Sequence, residues 1–168
     1  MNKTFNELVE LVNQWAKEKG IHEKSNALHQ LHKTKEEVQE FLYHTAYQEI
    51  ELQDDLGDIV VTLINYCHFR DINITKIYEE INQPIKHHRF IKIYLDKLMK
   101  SALEILLYSE DYRNEKSILS NNVSNLLQIV LEGCHFINKP LEECLGSAYE
   151  VISKRKGHMH NGIFIKEN

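Results

Sequence analysis

Apolar residues recur every three to four positions through most of the chain, which is the period of amphipathic helices. Phe5, Leu8, Val9, Val12, Trp15 and Ala16 share one face over residues 4–19, and Gly20 marks the stop. The same period predicts a second helix over about 26–44 and a third over about 50–69, with Leu56, Ile59, Val60, Leu63 and Ile64 inward. A short helix over about 74–82 precedes Pro84, and a long one follows over about 85–109. After the loop "SEDYRNEKS" comes a helix over about 117–136. "NKPLEE" then opens the last one, with Asn138 as cap and Pro140 in its first turn, ending near Gly157. No stretch alternates as a strand would. The fold class predicted is all-α, a helical bundle.

The pattern repeats at a spacing of 67 residues. "CHF" stands at 67–69 and again at 134–136, and the same spacing pairs Leu28 with Leu95, Leu31 with Leu98, Lys33 with Lys100, Glu37 with Glu104, and Leu52 with Leu119. Ile74 with Leu141 and Ile85 with Ile152 extend it without a net gap, so a duplication is expected in which residues 26–81 superpose on 93–148. The organisation implied is an active repeat, 1–83, and a degenerate second repeat, 84–168, forming one compact unit.

Composition narrows this little. Six glycines and two prolines in 168 residues favour helices over a turn-rich β fold. A net charge of −5 argues against a nucleic-acid surface, which needs a basic field. Cys67, Cys134 and Cys144 lie in apolar helical contexts and read as buried thiols of a reducing compartment; with no secretory leader pattern at "MNKTFNELVE" and no long apolar run, a cytoplasmic location away from membranes is expected.

The chemistry concentrates in "EEVQEFLYHTAYQEIELQDDLGD", residues 36–58. Glu37 and Glu40 are spaced i, i+3, as are Asp55 and Asp58, so each pair shares a helical face. Glu37 with Asp58 and Glu40 with Asp55 have the same sum of residue numbers, the condition for facing positions in an antiparallel hairpin turning near Tyr47 and Gln48. Converging carboxylates must take up protons or hold cations, and an all-oxygen set suits Mg²⁺ or Mn²⁺ shared with phosphate. The alternative is a solvated acidic face on two surface helices.

"QLHKTKEEVQEF" followed by "DDLGDIVVTLIN" resembles the EExxE…ExxD signature of the MazG-like, all-α nucleoside triphosphate pyrophosphohydrolases. "NQWAKEKGI" and the closing "LEECLGSAYEVISKRKGHMHNGIFIKEN" are also similar to small members of that family. The resemblance implies tandem helical-hairpin repeats, an internal pseudo-dimer, and Mg²⁺-dependent cleavage of a nucleoside triphosphate to monophosphate and pyrophosphate, with Mn²⁺ as a substitute. It implies Glu37, Glu40, Asp55 and Asp58 as metal ligands and Glu36 or Glu37 as the base. Gln30, Lys33, Lys154, Arg155, Lys156 and Asn161 would meet base and phosphates. A basic helix end is the plainer reading of the last four. The chain carries Asp55 where the family more often has Glu. Family members assemble as dimers or tetramers, so a homodimer is the implied protein partner.

At the spacing of 67, Glu104, Leu107, Asn122 and Asn125 stand for Glu37, Glu40, Asp55 and Asp58, so three of four charges are lost. The second repeat reads as a structural half. His68 and His135 are expected in packing or hydrogen-bonding roles on core helices, and His87, His88, His158 and His160 as solvated. Trp15, Tyr43, Tyr47 and Tyr66 could stack on a base, although packing is the simpler role for each. A di-metal carboxylate bundle needs two Glu-x-x-His pairs, and only Glu132 with His135 fits. The alternative to an enzyme is a helical interaction protein with a decayed site.

Overall fold

The computed structural model describes residues 3–47, 52–81, 91–112 and 115–167. Ile85, His87, His88 and Gln48 lie outside them. The chain is all-α, with one small hairpin. Its helices are α1 (Phe5–Glu18), α2 (Ile21–Lys24), α3 (Ala27–Tyr47), α4 (Leu52–Phe69), α5 (Ile74–Ile81), α6 (Ile91–Tyr112), α7 (Lys116–Phe136) and α8 (Leu141–Ser153). The hairpin joins β1 (Gly157–His160) and β2 (Ile163–Lys166), antiparallel, with His160 opposite Ile163.

Local chemistry sets the helix ends. At α1, Thr4 and Glu7 cap each other: the Glu7 amide donates to Thr4 Oγ1 and the Thr4 amide to Glu7 Oε2. Gly20, at φ 73°, then turns the chain into the single turn of α2, which the apolar period alone does not mark.

The core is one cluster spanning both halves, from Phe5 and Val12 of α1 through Leu56, Leu63 and Tyr66 of α4 to Val123, Leu127 and Val130 of α7. α3 pairs with α4 and α6 with α7, while the third helix of each set crosses over: α8 packs on α4, and α5 on α7. Tyr66 of α4 and Arg70, just past its end, bind the buried Glu110 of α6, with Tyr66 Oη donating to Glu110 Oε2 at 2.8 Å and Arg70 Nε at 3.0 Å. α4 and α8 approach closely at Gly57, where a Cβ would stand 2.3 Å from the Cys144 carbonyl oxygen.

The turns after α4 and α7 are the same turn. Asp71 and Asn138 have φ 51° and 57°. The Asp71 amide donates to His68 O and the Ile72 amide to Cys67 O; the Asn138 amide donates to His135 O and the Lys139 amide to Cys134 O. These are two Schellman turns, 67 residues apart. Burial in α4 and α7 keeps that spacing, from Asp55 and Asn122 to Cys67 and Cys134. In the first helix of each set it fails: Leu28 is exposed where Leu95 is buried, and Leu31 is buried where Leu98 is exposed. A spacing of 68 restores agreement, pairing buried Ala27, Leu31, Thr34, Val38 and Phe41 with buried Leu95, Met99, Ala102, Leu106 and Ser109. The connection 113–115 is one residue shorter than 48–51, which absorbs the slip. The expectation of one ungapped register is therefore corrected for α3 and α6.

A further expectation changes. The tail after Gly157 forms strands, although its burial alternates only weakly. Its turn takes the left-handed backbone at Asn161 and Gly162, φ 49° and 80°, as a two-residue hairpin of right-handed twist requires. His68 and His135 are exposed near their helix ends, each directly after a buried core cysteine. His68 stacks on His22 with ring centroids 3.5 Å apart. Cys67, Cys134 and Cys144 are buried free thiols, as expected, and the Sγ atoms of the last two are 3.8 Å apart.

Candidate functional site

α3 and α4 run antiparallel, and the tail hairpin folds back beside them. Between them lies a cavity of about 110 Å³. Glu37 of α3 and Asp58 of α4 both line it, as the hairpin spacing predicts. Gln30 and Lys33 line it from α3, and Arg155 from the end of α8. Lys166 and Phe164 of β2 join them, with Trp15, Ile21 and Val61 forming an apolar side. Trp15 and Phe164 meet edge to face, with ring centroids 6.2 Å apart.

The two carboxylates are strained electrostatically. Burial, then the charges of Asp58 and Glu40, push the Glu37 carboxyl up to about 7, against the opposing pull of Lys33 and Arg155. Burial also raises Asp58; Arg155 and Lys166 pull it down while Asp54 and Glu40 push it up. The pocket thus pairs two acids of raised proton affinity with three cations, Lys33, Arg155 and Lys166. Trp15 Nε1 and His29 Nδ1, both on lining residues, are buried without a protein hydrogen-bond partner. Gly162 leaves room for the His29 ring, since a Cβ there would stand 2.4 Å from Nδ1.

The remaining expected site residues fall elsewhere. Asp55 is buried, and its Oδ2 lies 2.7 Å from His44 Nδ1. A buried carboxylate needs a hydrogen-bonded partner, and the imidazole one turn beyond Glu40 supplies one. The four-carboxylate cluster is accordingly not gathered: among the described residues, no three histidine, cysteine or acidic side chains stand close enough to hold a metal ion. Glu36 is exposed and bridges to Lys33. Glu40 is exposed and acts on the cavity through its charge. Lys154 and Lys156, between α8 and β1, are exposed and outside the lining, whereas Arg155 between them is half-buried and lines it. Asn161 occupies the hairpin turn, its side chain 3.3 Å from His160 Nε2. Of the aromatic residues, Trp15 lines the cavity, Tyr66 is fully buried, and Tyr43 and Tyr47 are exposed.

Sequence reasoning missed Lys166, Phe164, His29, Thr62 and Asn65 as lining residues. The first two depend on the hairpin, whose signal was the Asn161–Gly162 pair, the residue type of a two-residue hairpin turn. The chain matches no family model, no curated protein and no solved structure.

Proposed function

We propose that the protein is a Mg²⁺-dependent nucleoside triphosphate pyrophosphohydrolase, releasing monophosphate and pyrophosphate. The observation that carries this reading is the cavity where Glu37 and Asp58, both raised in proton affinity, lie among Lys33, Arg155 and Lys166 beside a Trp15–Phe164 wall.

The donor set fits Mg²⁺ through two carboxylates rather than four. Mg²⁺ is commonly held by one or two protein carboxylates, with waters and substrate phosphate oxygens completing its octahedron. Glu37 and Asp58 would hold it, with Glu40 adding negative field. When bound, the ion would neutralise the phosphates and relieve the mutual repulsion of the two acids. Lys33, Arg155 and Lys166 would bind the remaining phosphate charge, Arg155 in a forked geometry. Trp15 and Phe164 offer a face for the base, and Asn65, Thr62 and Gln30 offer it donors and acceptors. Glu37 would orient the attacking water. Glu36, held by Lys33 on the outer face, is set aside as the base, and Asp55 is assigned to hold His44.

A panel of canonical and deoxynucleoside triphosphates, incubated with Mg²⁺ or Mn²⁺, tests the reaction through its products. Pyrophosphate with monophosphate is expected. Orthophosphate alone, or full activity in excess chelator, refutes it. Inertness towards the whole panel favours the alternative of a helical interaction protein.

A further inference from the structure

Glu37 with Asp58 is one rung of a ladder across the α3–α4 hairpin. Lys33 with Thr62 and Gln30 with Asn65 have the same sum of residue numbers, and all six residues line the cavity. The last rung stands seven residues from the acids along each helix, about 10 Å at a rise of about 1.5 Å per residue. Unlike the acids, it is uncharged and almost fully enclosed: Gln30 is 7% exposed and Asn65 2%. Each of its amides is engaged at one end by a residue outside the lining. Gln30 Nε2 donates to Ser25 Oγ at 2.8 Å, and Asn65 Oδ1 lies 3.3 Å from His22 Nε2. The ends left for the cavity are Gln30 Oε1, an acceptor, and Asn65 Nδ2, a donor. Trp15 supplies a second donor, its Nε1–H, buried without a protein acceptor on a residue 7% exposed. His29 Nδ1, also unpartnered, takes either role according to its tautomer. The Thr62 hydroxyl gives its hydrogen to Ile59 O at 2.9 Å, inside α4, and stands one rung nearer the acids. The inner end of the cavity therefore presents two fixed donors and one fixed acceptor.

We propose that this inner end is a pyrimidine seat, so that the site takes pyrimidine nucleotides in preference to purine ones. The first argument is complementarity. The Watson–Crick edge of a pyrimidine, whether uracil, thymine or cytosine, carries two acceptors and one donor group, the complement of Trp15, Asn65 and Gln30. The adenine edge offers one acceptor and the guanine edge one, so either purine leaves a buried donor of the wall unmet. An unmet buried donor lowers affinity by about tenfold or more. The second argument is size. The cavity measures about 110 Å³. A protein cavity of about 150 Å³ takes a benzene ring, so a single six-membered ring fills this one and a fused pair does not fit. Of the Trp15–Phe164 wall, Phe164 then offers the stacking face, and Trp15, inclined at 63° to it, offers its N–H. The rungs set the order along the hairpin: base at Gln30 and Asn65, phosphates at Lys33 and the acids.

The inference rests on the proposed reading of the cavity as a nucleotide site, but not on hydrolysis there. The experiment therefore measures binding with the reaction blocked. The α,β-imido analogues of UTP, CTP, ATP and GTP, which resist cleavage between the α and β phosphates, are titrated into the full chain with Mg²⁺. Binding is followed by the fluorescence of Trp15, the one tryptophan of the chain, and by calorimetry. The pyrimidine analogues should bind at least about tenfold more tightly than the purine ones. Trp15→Phe removes the donor and keeps an aromatic ring; by calorimetry it should weaken the pyrimidine analogues about tenfold and leave the purine ones nearly unchanged. Asn65→Leu, which conserves volume, should do the same, with melts run on both variants. Purine analogues that bind as tightly as pyrimidine ones, or no binding of either, overturn the seat. So does a variant that weakens both classes equally, which marks a packing role only. Preference for pyrimidine analogues without pyrophosphate release from the natural triphosphates upholds the seat and refutes the reaction. Equal pyrophosphate release from all bases does the reverse.

Discussion

Replacing Gly57 by Ala and Gly146 by Ala makes the same chemical change at two helical positions, in α4 and α8, with opposite expected signs. Each gains helix propensity, about 1 kcal/mol at most, because alanine loses less backbone freedom than glycine. At Gly146 nothing lies within 4 Å of the added methyl, so that gain stands alone. At Gly57 the methyl meets the Cys144 carbonyl oxygen at 2.3 Å and Ala148 Cβ at 2.8 Å. An ordinary contact needs about 3.5 Å, so α8 must retreat by about 1 Å. Two of the obstructing atoms belong to the α8 backbone, so no side-chain rotation relieves the clash. Overpacking of this kind costs about 1–3 kcal/mol, and relief by helix separation uncovers Leu145 and Ala148 besides. The net expectation is a loss of about 1–2 kcal/mol for Gly57→Ala, against a gain approaching 1 kcal/mol for Gly146→Ala. In a chain of this size that is a fall of about 2–8 °C and a rise of about 1–4 °C in melting temperature. Thermal and urea melts of the two variants measure it. A Gly57→Ala protein as stable as the parent would refute the close approach of α4 and α8. Because Ile152 and Arg155 reach the cavity from the end of α8, Gly57→Ala should also lower any turnover disproportionately to its stability loss.

Asp58→Asn should abolish pyrophosphate release while raising the melting temperature in metal-free buffer, since it removes one of two repelling, part-buried acids; parallel assay and melt decide it. Asn125→Asp should change neither activity nor melting temperature measurably, because the side chain is exposed and the new charge is solvated; a drop beyond about 0.5 kcal/mol contradicts this. Burial, then the neighbouring His68, lowers His22 to about 4 from an ordinary 6.5. His22 is neutral in both states above the ordinary value, so its effect is a stability loss as pH falls from about 6.5 towards 4, where the unfolded chain takes the proton first. His22→Gln should flatten that part of the pH–stability curve, and an unchanged slope would reject the assignment. Glu110→Gln should destabilise by about 1–3 kcal/mol through the loss of the charged acceptor shared by Arg70 and Tyr66, read from urea melts.

Helix existence was legible because burial in a two-layer bundle imposes a period that survives divergence. Leu56, Ile59, Val60 and Leu63 are inward as that period predicts, and so are their counterparts from Val123 to Val130. Register was less legible. A shift of one residue within a helix turns its faces by about 100°, yet identities such as Lys33 with Lys100 are of a common polar type for which chance matches are cheap. Burial, which the sequence does not display, separates Leu28 from Leu95. The meeting of Glu37 with Asp58 followed from hairpin arithmetic alone. The contact of Asp55 with His44 did not, because residue spacing alone does not show which neighbour a buried carboxylate takes as its hydrogen-bond partner. Lys166 and Phe164 reach the cavity only through a hairpin of four-residue strands, too short for periodicity to register.

The reciprocal crossing of α8 onto α4 and α5 onto α7 has a consequence for how the chain can be divided. Each half lends its third helix to cover the other's second, so a cut between them exposes a core face on both fragments at once. Neither 1–83 nor 84–168 should therefore fold alone, whereas the two expressed together should find each other and rebuild the cavity from separate pieces. The carrier of the acidic face would then depend on the other fragment for Arg155 and Lys166, and a protein that looks like one subunit would behave as an obligate pair encoded in one chain.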